Sequence, residues 1–368
     1  MIDPEDAVRL AEQAALGGLI LAPRHLDTVR RWLRPADFTD PWHARVYDTL
    51  CERHSAGETI TPISIGTDLQ DRLGRQHADA VRVHDLLQAT PTNPVPVVYA
   101  RMVLETGLRR EVADLGVLLR AGALQSALSG ESVPMAATCA LVDAGLSAAG
   151  ARWARATGAP VEDDAPIPLR AALRSPDLRL GADKLLRLHP RRDLVAEHAN
   201  EAALVGCLIA HPEAIPDVAG WLTPNRIVTP NWRTVYAATV ELSELGHPVD
   251  AVTVAWATRR LSHHDQPSPD LRVLLEAVDG GRFAVPDHAA RLVAADQMQR
   301  IAENGSQQLL AGSLNPGVLV PDLVDTGRLI TTALRQAAAV LPERRGEPSA
   351  PHLAVVRSLE AARGPVAG

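Results

Sequence analysis

Few residues in this chain are of types that do chemistry, and their spacing limits what they can do. The one lysine, Lys184, stands between Asp183 and Leu185. A phosphate-cradling loop needs Gly-x-x-x-x-Gly-Lys-Ser/Thr, with backbone amides on the phosphates and the lysine on the β and γ oxygens. No such loop can be drawn around Lys184, which excludes ATP hydrolysis by that route. His263-His264-Asp265 offers two imidazoles and a carboxylate, but adjacent histidines point apart and no further ligand lies at metal spacing. His189, His198 and His211 are scattered in the same way. No Gly-x-Ser-x-Gly elbow presents a serine nucleophile. The sequence therefore predicts no catalytic residue, metal or cofactor, and a chain that is not an enzyme.

Arg109-Arg110 and Arg191-Arg192 are the residues that could meet a phosphate backbone. The formal net charge is −7, however, and arginine pairs on an acidic chain mostly face water or neighbouring acids. Direct DNA binding is not favoured. Cys51, Cys139 and Cys207 are odd in number and read as free or buried thiols of a reducing compartment. With no basic-then-apolar leader and no apolar run of spanning length, a cytoplasmic location without membrane contact is expected.

The elements that would hold any such residues come from a repeat. Aligning Trp32 on Trp221 also brings Glu12 onto Glu201, Gly17 onto Gly206, Pro23 onto Pro212, Pro35 onto Pro224, Pro41 onto Pro230, Tyr47 onto Tyr236 and Gly57 onto Gly246. Self-similarity at a fixed offset means one structural unit written twice. Only 3% of residues are aromatic, so the cores must be built of Ala, Leu and Val. That mixture favours helices over sheets. The predicted fold is all-α: two copies of a small helical-bundle domain, each followed by a long helical hairpin.

Copy one spans 5–148 and copy two 197–340, with a Pro/Arg-rich linker at 149–196 carrying one short helix near Asp183–Leu188. A disordered tail is expected at 341–368. The punctuation is legible: Asp3-Pro4 and Asp40-Pro41 read as N-caps followed by proline in the first turn, and Gly57 and Gly246 as left-handed stops. Thr229-Pro230 stands where copy one has Asp40-Pro41, and Asp250 where it has Thr61. Trp32 and Trp221 read as core. Each copy ends in a hairpin. Leu108, Val112, Leu115 and Leu119 form one apolar stripe, and Met135, Cys139, Val142 and Leu146 another, with the turn at 126–134. The second hairpin, about 287–340, has a weaker stripe, interrupted by Asn304, Gly305, Gln307 and Gln308.

The order Glu12–Leu21, Trp32–Phe38, Val46-Tyr47 and Gly57–Ile65, repeated in copy two through Gly246–Val254, resembles the N-terminal domain of bacterial replicative helicases of the DnaB type. The trailing hairpins resemble the helices through which those domains pair. Copy two departs at Ile227, where copy one has Phe38. The resemblance implies a primase-binding collar domain, here in tandem and without the RecA-type motor. From it follows the expectation of a non-catalytic replication adaptor whose partners are primase, the replicative helicase or a loader. Leu108, Val112, Leu115, Leu119, Met298, Ile301 and Leu309 are the candidate hairpin interface, serving intramolecular pairing of the two copies or a homo-oligomer. The same stripes would equally close each domain's own core. Two alternatives remain open: a nucleic-acid-binding regulator using the Arg-rich linker, and an inhibitor of helicase assembly that caps the collar.

Overall fold

The structure is a computed structural model. It describes residues 3–73, 80–161, 166–173, 175–189, 192–261 and 269–343. Copy one runs through α1 (Pro4–Leu21), α2 (Leu26–Val29), α3 (Pro41–Ser55), α4 (Pro62–Leu73) and α5 (Ala80–Gln88) into the long helices α6 (Pro96–Ser129) and α7 (Val133–Thr157). After α8 (Ile167–Leu173) and α9 (Pro176–Leu188), copy two repeats the order. It runs through α10 (Leu194–Ala210), α11 (Ile215–Ala219), α12 (Pro230–Glu244), α13 (Ala251–Leu261) and α14 (Leu271–Gly281) into α15 (Pro286–Leu314) and α16 (Val320–Ala338). No strand occurs among the described residues, and the fold is all-α.

The repeat is physical as well as textual. Glu12, buried on α1, accepts the backbone N–H groups of Thr39 and Asp40 at the entry to α3. Glu201, buried on α10, accepts those of Val228 (2.7 Å) and Thr229 (3.0 Å) at the entry to α12. A buried carboxylate thus satisfies two donors that the turn leaves without helical partners. Tyr47 donates to the Leu33 carbonyl, and Tyr236 to that of Leu222. Gly17 and Gly206 sit where two helices nearly touch. A Cβ on Gly206 would lie 2.0 Å from the Ala277 carbonyl oxygen, and one on Gly17 would lie 2.4 Å from that of Leu86.

The caps fall where the sequence puts them, with one exception. Asp3 accepts from the Glu5 N–H, Asp40 from that of Trp42, and Asp250 from those of Val252 and Thr253. Gly57 and Gly246 stop their helices at φ of 69° and 66°. Thr229 makes no side-chain cap; its hydroxyl faces His198 instead, and Glu201 takes its N–H. Trp32 is buried, whereas Trp221 is half-buried on the edge of copy two's core. Ile227 is fully buried in that core.

The span 149–196, expected as a linker, is largely helical. α7 continues to Thr157, and the short helix expected near Asp183–Leu188 is the second half of α9. Its prolines mislead because Pro176 opens a helix, where a missing N–H costs nothing. α7 is also long and apolar enough to cross a membrane by length and composition, unlike anything expected from the sequence. Yet 67% of its most apolar window is buried inside the protein, as in a core helix. The tail segment 344–368, together with His263, His264, Asp265 and Arg191, lies outside the described residues.

Two compact units emerge. The first comprises Met1–Leu115, Asp143–Ala171 and Gln308–Arg328; the second comprises Gly116–Val142, Ala172–Gln307 and Leu329–Gly368. Unit one is therefore copy one plus the hairpin tip of copy two. Unit two is copy two plus the hairpin tip of copy one.

Candidate interface on the helical hairpins

In unit one, Arg109 of α6 reaches the turn that joins α15 to α16. Its guanidinium donates to the carbonyls of Asn315 (2.9 Å), Val318, Pro316 and Gly312, and it also holds Glu105 of its own helix. Turn carbonyls with free lone pairs are strong acceptors for a buried cation, whose charge shortens and strengthens each bond. Around it, Val324 approaches Gly150, and a Cβ on Gly327 would lie 2.7 Å from the methyl groups of Leu146. The tip of copy two's hairpin is thus seated on the base of copy one's.

Unit two holds the reciprocal contact. A Cβ on Gly116 of α6 would lie 3.0 Å from Ser306 Oγ of α15. With Pro96 and Pro286 as the first residues of the two helices, Gly116 and Ser306 are corresponding positions, so equivalent points of the two hairpins meet. Such a meeting marks an isologous contact. Beside it Arg120 pairs with Glu303 at 2.8 Å, the Cys139 thiol donates to the Thr331 carbonyl, and the Ser132 N–H donates to the Pro342 carbonyl. Burial pushes the Cys139 thiol up to about 11, so it stays protonated at neutral pH. All three cysteines are free.

Of the seven candidate interface residues, Leu108, Val112, Leu115, Leu119, Met298 and Leu309 are buried and Ile301 is half-buried. Leu108, Val112, Leu115 and Leu309 lie in unit one; Leu119, Met298 and Ile301 lie in unit two. Leu115 packs on Gly145 of α7, where an added Cβ would lie 2.9 Å from a leucine methyl. The interruption of the second stripe also has a structural reason. Asn304, Gln307 and Gln308 face solvent, and Gly305 lets Ile330 of α16 approach to 2.5 Å of where its Cβ would be. α15 runs through all four unbroken.

The arginines are largely occupied. Arg110 donates to Thr39 Oγ1 and to the carbonyls of Ala36, Asp37 and Phe38, and Arg192 is held by Glu197. Arg152, buried, binds Asp37, the Trp32 carbonyl and Glu111 Oε2. Burial raises the Glu111 carboxyl above its ordinary value despite this partner. Spacing gave no warning of the roles of Arg109, Arg110 and Arg152, because their acceptors are backbone carbonyls and acids far along the chain. Glu12 and Glu201 did carry a signal, as an acid repeated at one offset within an apolar helix. Among the described residues no cluster of His, Cys, Asp and Glu is placed to hold a metal.

These contacts complete a helical domain that the chain carries twice, each copy ending in a long hairpin. The family described as DnaB-like helicase N terminal domain matches residues 5–105 and 194–290, more than half of the chain. The chain belongs to that family and carries its domain twice. It is 32% identical over 114 residues to the replicative DNA helicase DnaB of Mycobacterium leprae, covering 31% of this chain and 18% of the relative. To the replicative DNA helicase DnaB of Leifsonia xyli it is 35% identical over 109 residues, 29% of this chain and 24% of the relative. To that of Rickettsia conorii it is 26% identical over 123 residues, 33% of this chain and 25% of the relative. The chain thus spans no more than about a quarter of the length of these relatives, and their matches are confined to one domain's worth of sequence. No solved structure matches.

Proposed function

We propose that the chain is a non-catalytic adaptor of DNA replication: a covalently linked pair of helicase-collar domains that docks primase, the replicative helicase or its loader in the cytoplasm. The observation that carries this reading is the pair of reciprocal hairpin contacts, Arg109 on the copy-two tip and Gly116 against Ser306. They occupy the pairing stripes of both copies within a single chain, which leaves the outer faces of the domains for other proteins. The family assignment supplies the setting, and the lack of a phosphate-cradling sequence supports the absence of turnover.

The test is direct. Purified full chain is titrated against primase and against the replicative helicase from the same source, with association followed by sedimentation velocity at low and high salt. Binding that survives high salt, without triphosphate hydrolysis by the chain alone, supports the adaptor. Binding only to nucleic acid, falling steeply with salt, would replace it with the nucleic-acid regulator. Of the arginine pair in the linker, Arg192 is engaged by Glu197.

A further inference from the structure

The face of the first hairpin that turns away from α15 and α16 is apolar, and α9 lies over it. Leu118, Ala121, Gly122 and Gln125 of α6, with Thr138 and Leu141 of α7, line a groove that Leu178, Ala182 and Leu185 of α9 fill. About 10 Å³ of space is left between them. Those three α9 residues recur at i, i+4 and i+7, one stripe of a helix. The groove is shallow because α6 and α7 cross tightly there: a Cβ on Gly122 would lie 2.4 Å from Thr138 Oγ1. A small residue, Ala182, accordingly occupies the middle of the α9 stripe.

Among the described residues, the corresponding face of copy two has no helix like α9 on it; there Arg109 donates to the Gly312 and Asn315 carbonyls. At the corresponding positions α15 carries Gln308 and Asn315, and α16, aligned by Val133-Pro134 on Val320-Pro321, carries Asp325 and Arg328. Gln308, Asn315 and Asp325 are exposed to solvent. Ala121 and Gly122 recur as Ala311 and Gly312, whereas Leu118 and Leu141 are apolar only in the copy that α9 covers.

α9 is poorly equipped to be a helix on its own. It has 13 residues with Gly181 near the middle, and Ser175 at its N-cap position makes no side-chain cap. Isolated helices shorter than about 12–15 residues are marginal in water, and glycine lowers their stability further. Leu180 and Leu188 on its outer side are exposed. Its order depends on the groove.

We propose that α9 is a separable lock over a helix-binding groove on the first hairpin. α9 leaves as one cooperative segment, and the bare groove accepts from a partner an amphipathic helix with leucine, alanine and leucine at i, i+4 and i+7. The groove-facing side of that partner helix has the chemistry of α9. The groove is built on α6 and α7, the same helices whose other side meets α15 and α16, so its occupant touches the helices that hold the copies together.

Two measurements on the full chain test this. The first is hydrogen exchange of the unmodified protein. The amides of residues 177–188 exchange together and at least tenfold faster than those of 118–125. Exchange of α9 only in step with α6 would overturn the proposal. The second uses a labelled peptide of sequence 176–188, followed by fluorescence anisotropy. The double variant Leu178→Asp, Leu185→Asp, verified as folded by circular dichroism, binds the peptide at least tenfold more tightly than the unmodified chain does. Adding Leu118→Gln, the residue that copy two carries at that position, abolishes the gain. Equal peptide affinity of the unmodified chain and the folded double variant would refute the groove.

Discussion

Replacing Arg109 by glutamine measures how far the tip of copy two's hairpin depends on one guanidinium. The substitution is mild in shape, because the corresponding position of α15 is Gln299. Arg109 is 9% exposed and donates to the Asn315 carbonyl at 2.9 Å and to that of Val318, with longer contacts to Gly312 and Pro316. Hydrogen bonds to a charged group contribute about 1.5–3 kcal/mol each and neutral ones about 1 kcal/mol. Glutamine can keep one of the two short bonds as a neutral one, so the net loss is about 2–5 kcal/mol. Glu105, left behind, is more than a third exposed and is rehydrated at little cost. The loss falls on local opening of the turn, whose reporters are the amides of Asn315, Val318 and Leu323, bonded to Ala311, Asn315 and Leu319. At about 1.4 kcal/mol per factor of ten, their hydrogen exchange accelerates about 30- to 4,000-fold. Arg110→Gln serves as the control and speeds exchange around 36–39 instead. Protection at the three amides within threefold of the unmodified protein would show that apolar packing alone seats the tip.

Three further outcomes follow from other contacts. Gly206→Ala places a Cβ 2.0 Å from a backbone oxygen that cannot retreat and destabilises copy two by about 3 kcal/mol or more, whereas Gly66→Ala, with nothing within 4 Å, stabilises by about 0.5–1 kcal/mol; urea unfolding compares them. Burial works to raise the Glu197 carboxyl, but the Arg192 and Arg300 guanidiniums outweigh it and hold the group below 4.5. Its stabilisation is therefore fully present above pH 4.5 and lost as pH falls through the lowered value, so Glu197→Gln flattens that part of the acid unfolding curve. At pH 8 maleimide labels the half-buried Cys51 while Cys139, buried and held to about 11, stays unmodified until denaturant is added; equal labelling rates would contradict the packing of α7.

Much of the domain was legible before the structure because its punctuation is local. Asp3, Asp40 and Asp250 cap within two or three residues of themselves, and Gly57 and Gly246 stop helices by their own φ. Thr229 misled for a nonlocal reason: its hydroxyl faces His198, 31 residues earlier, instead of its own helix. The linker misled because proline and arginine read as coil until a groove is present to order α9. The weak second stripe misled because Gly305 breaks a pattern of size while serving close approach to Ile330. The stripe residues themselves were readable as apolar faces. Which of them meet the other copy depends on pairings more than 190 residues apart, such as Arg109 with Val318 and Cys139 with Thr331, which no local period encodes.

Linking the copies changes what their contact can become. Where two identical chains pair about a two-fold axis, every contact is made twice and each residue near the axis must tolerate its own duplicate. Here Gly116 faces Ser306, and Arg109, which clasps the copy-two turn, has only Gln299 as its counterpart. Neither arrangement is open to a symmetric pair. A tether holds each hairpin at an effective concentration of about a millimolar at the other, so even a weak initial contact stays satisfied while its two sides diverge. Divergence then removes the symmetric alternative. A tip from copy one laid on a copy-one base would present Gln125, still inside α6, to Arg109 in place of Asn315 in the turn after α15. Preference for the internal partner is thus written into both sides of the contact, and the outer surfaces of the two copies become free to differ as well.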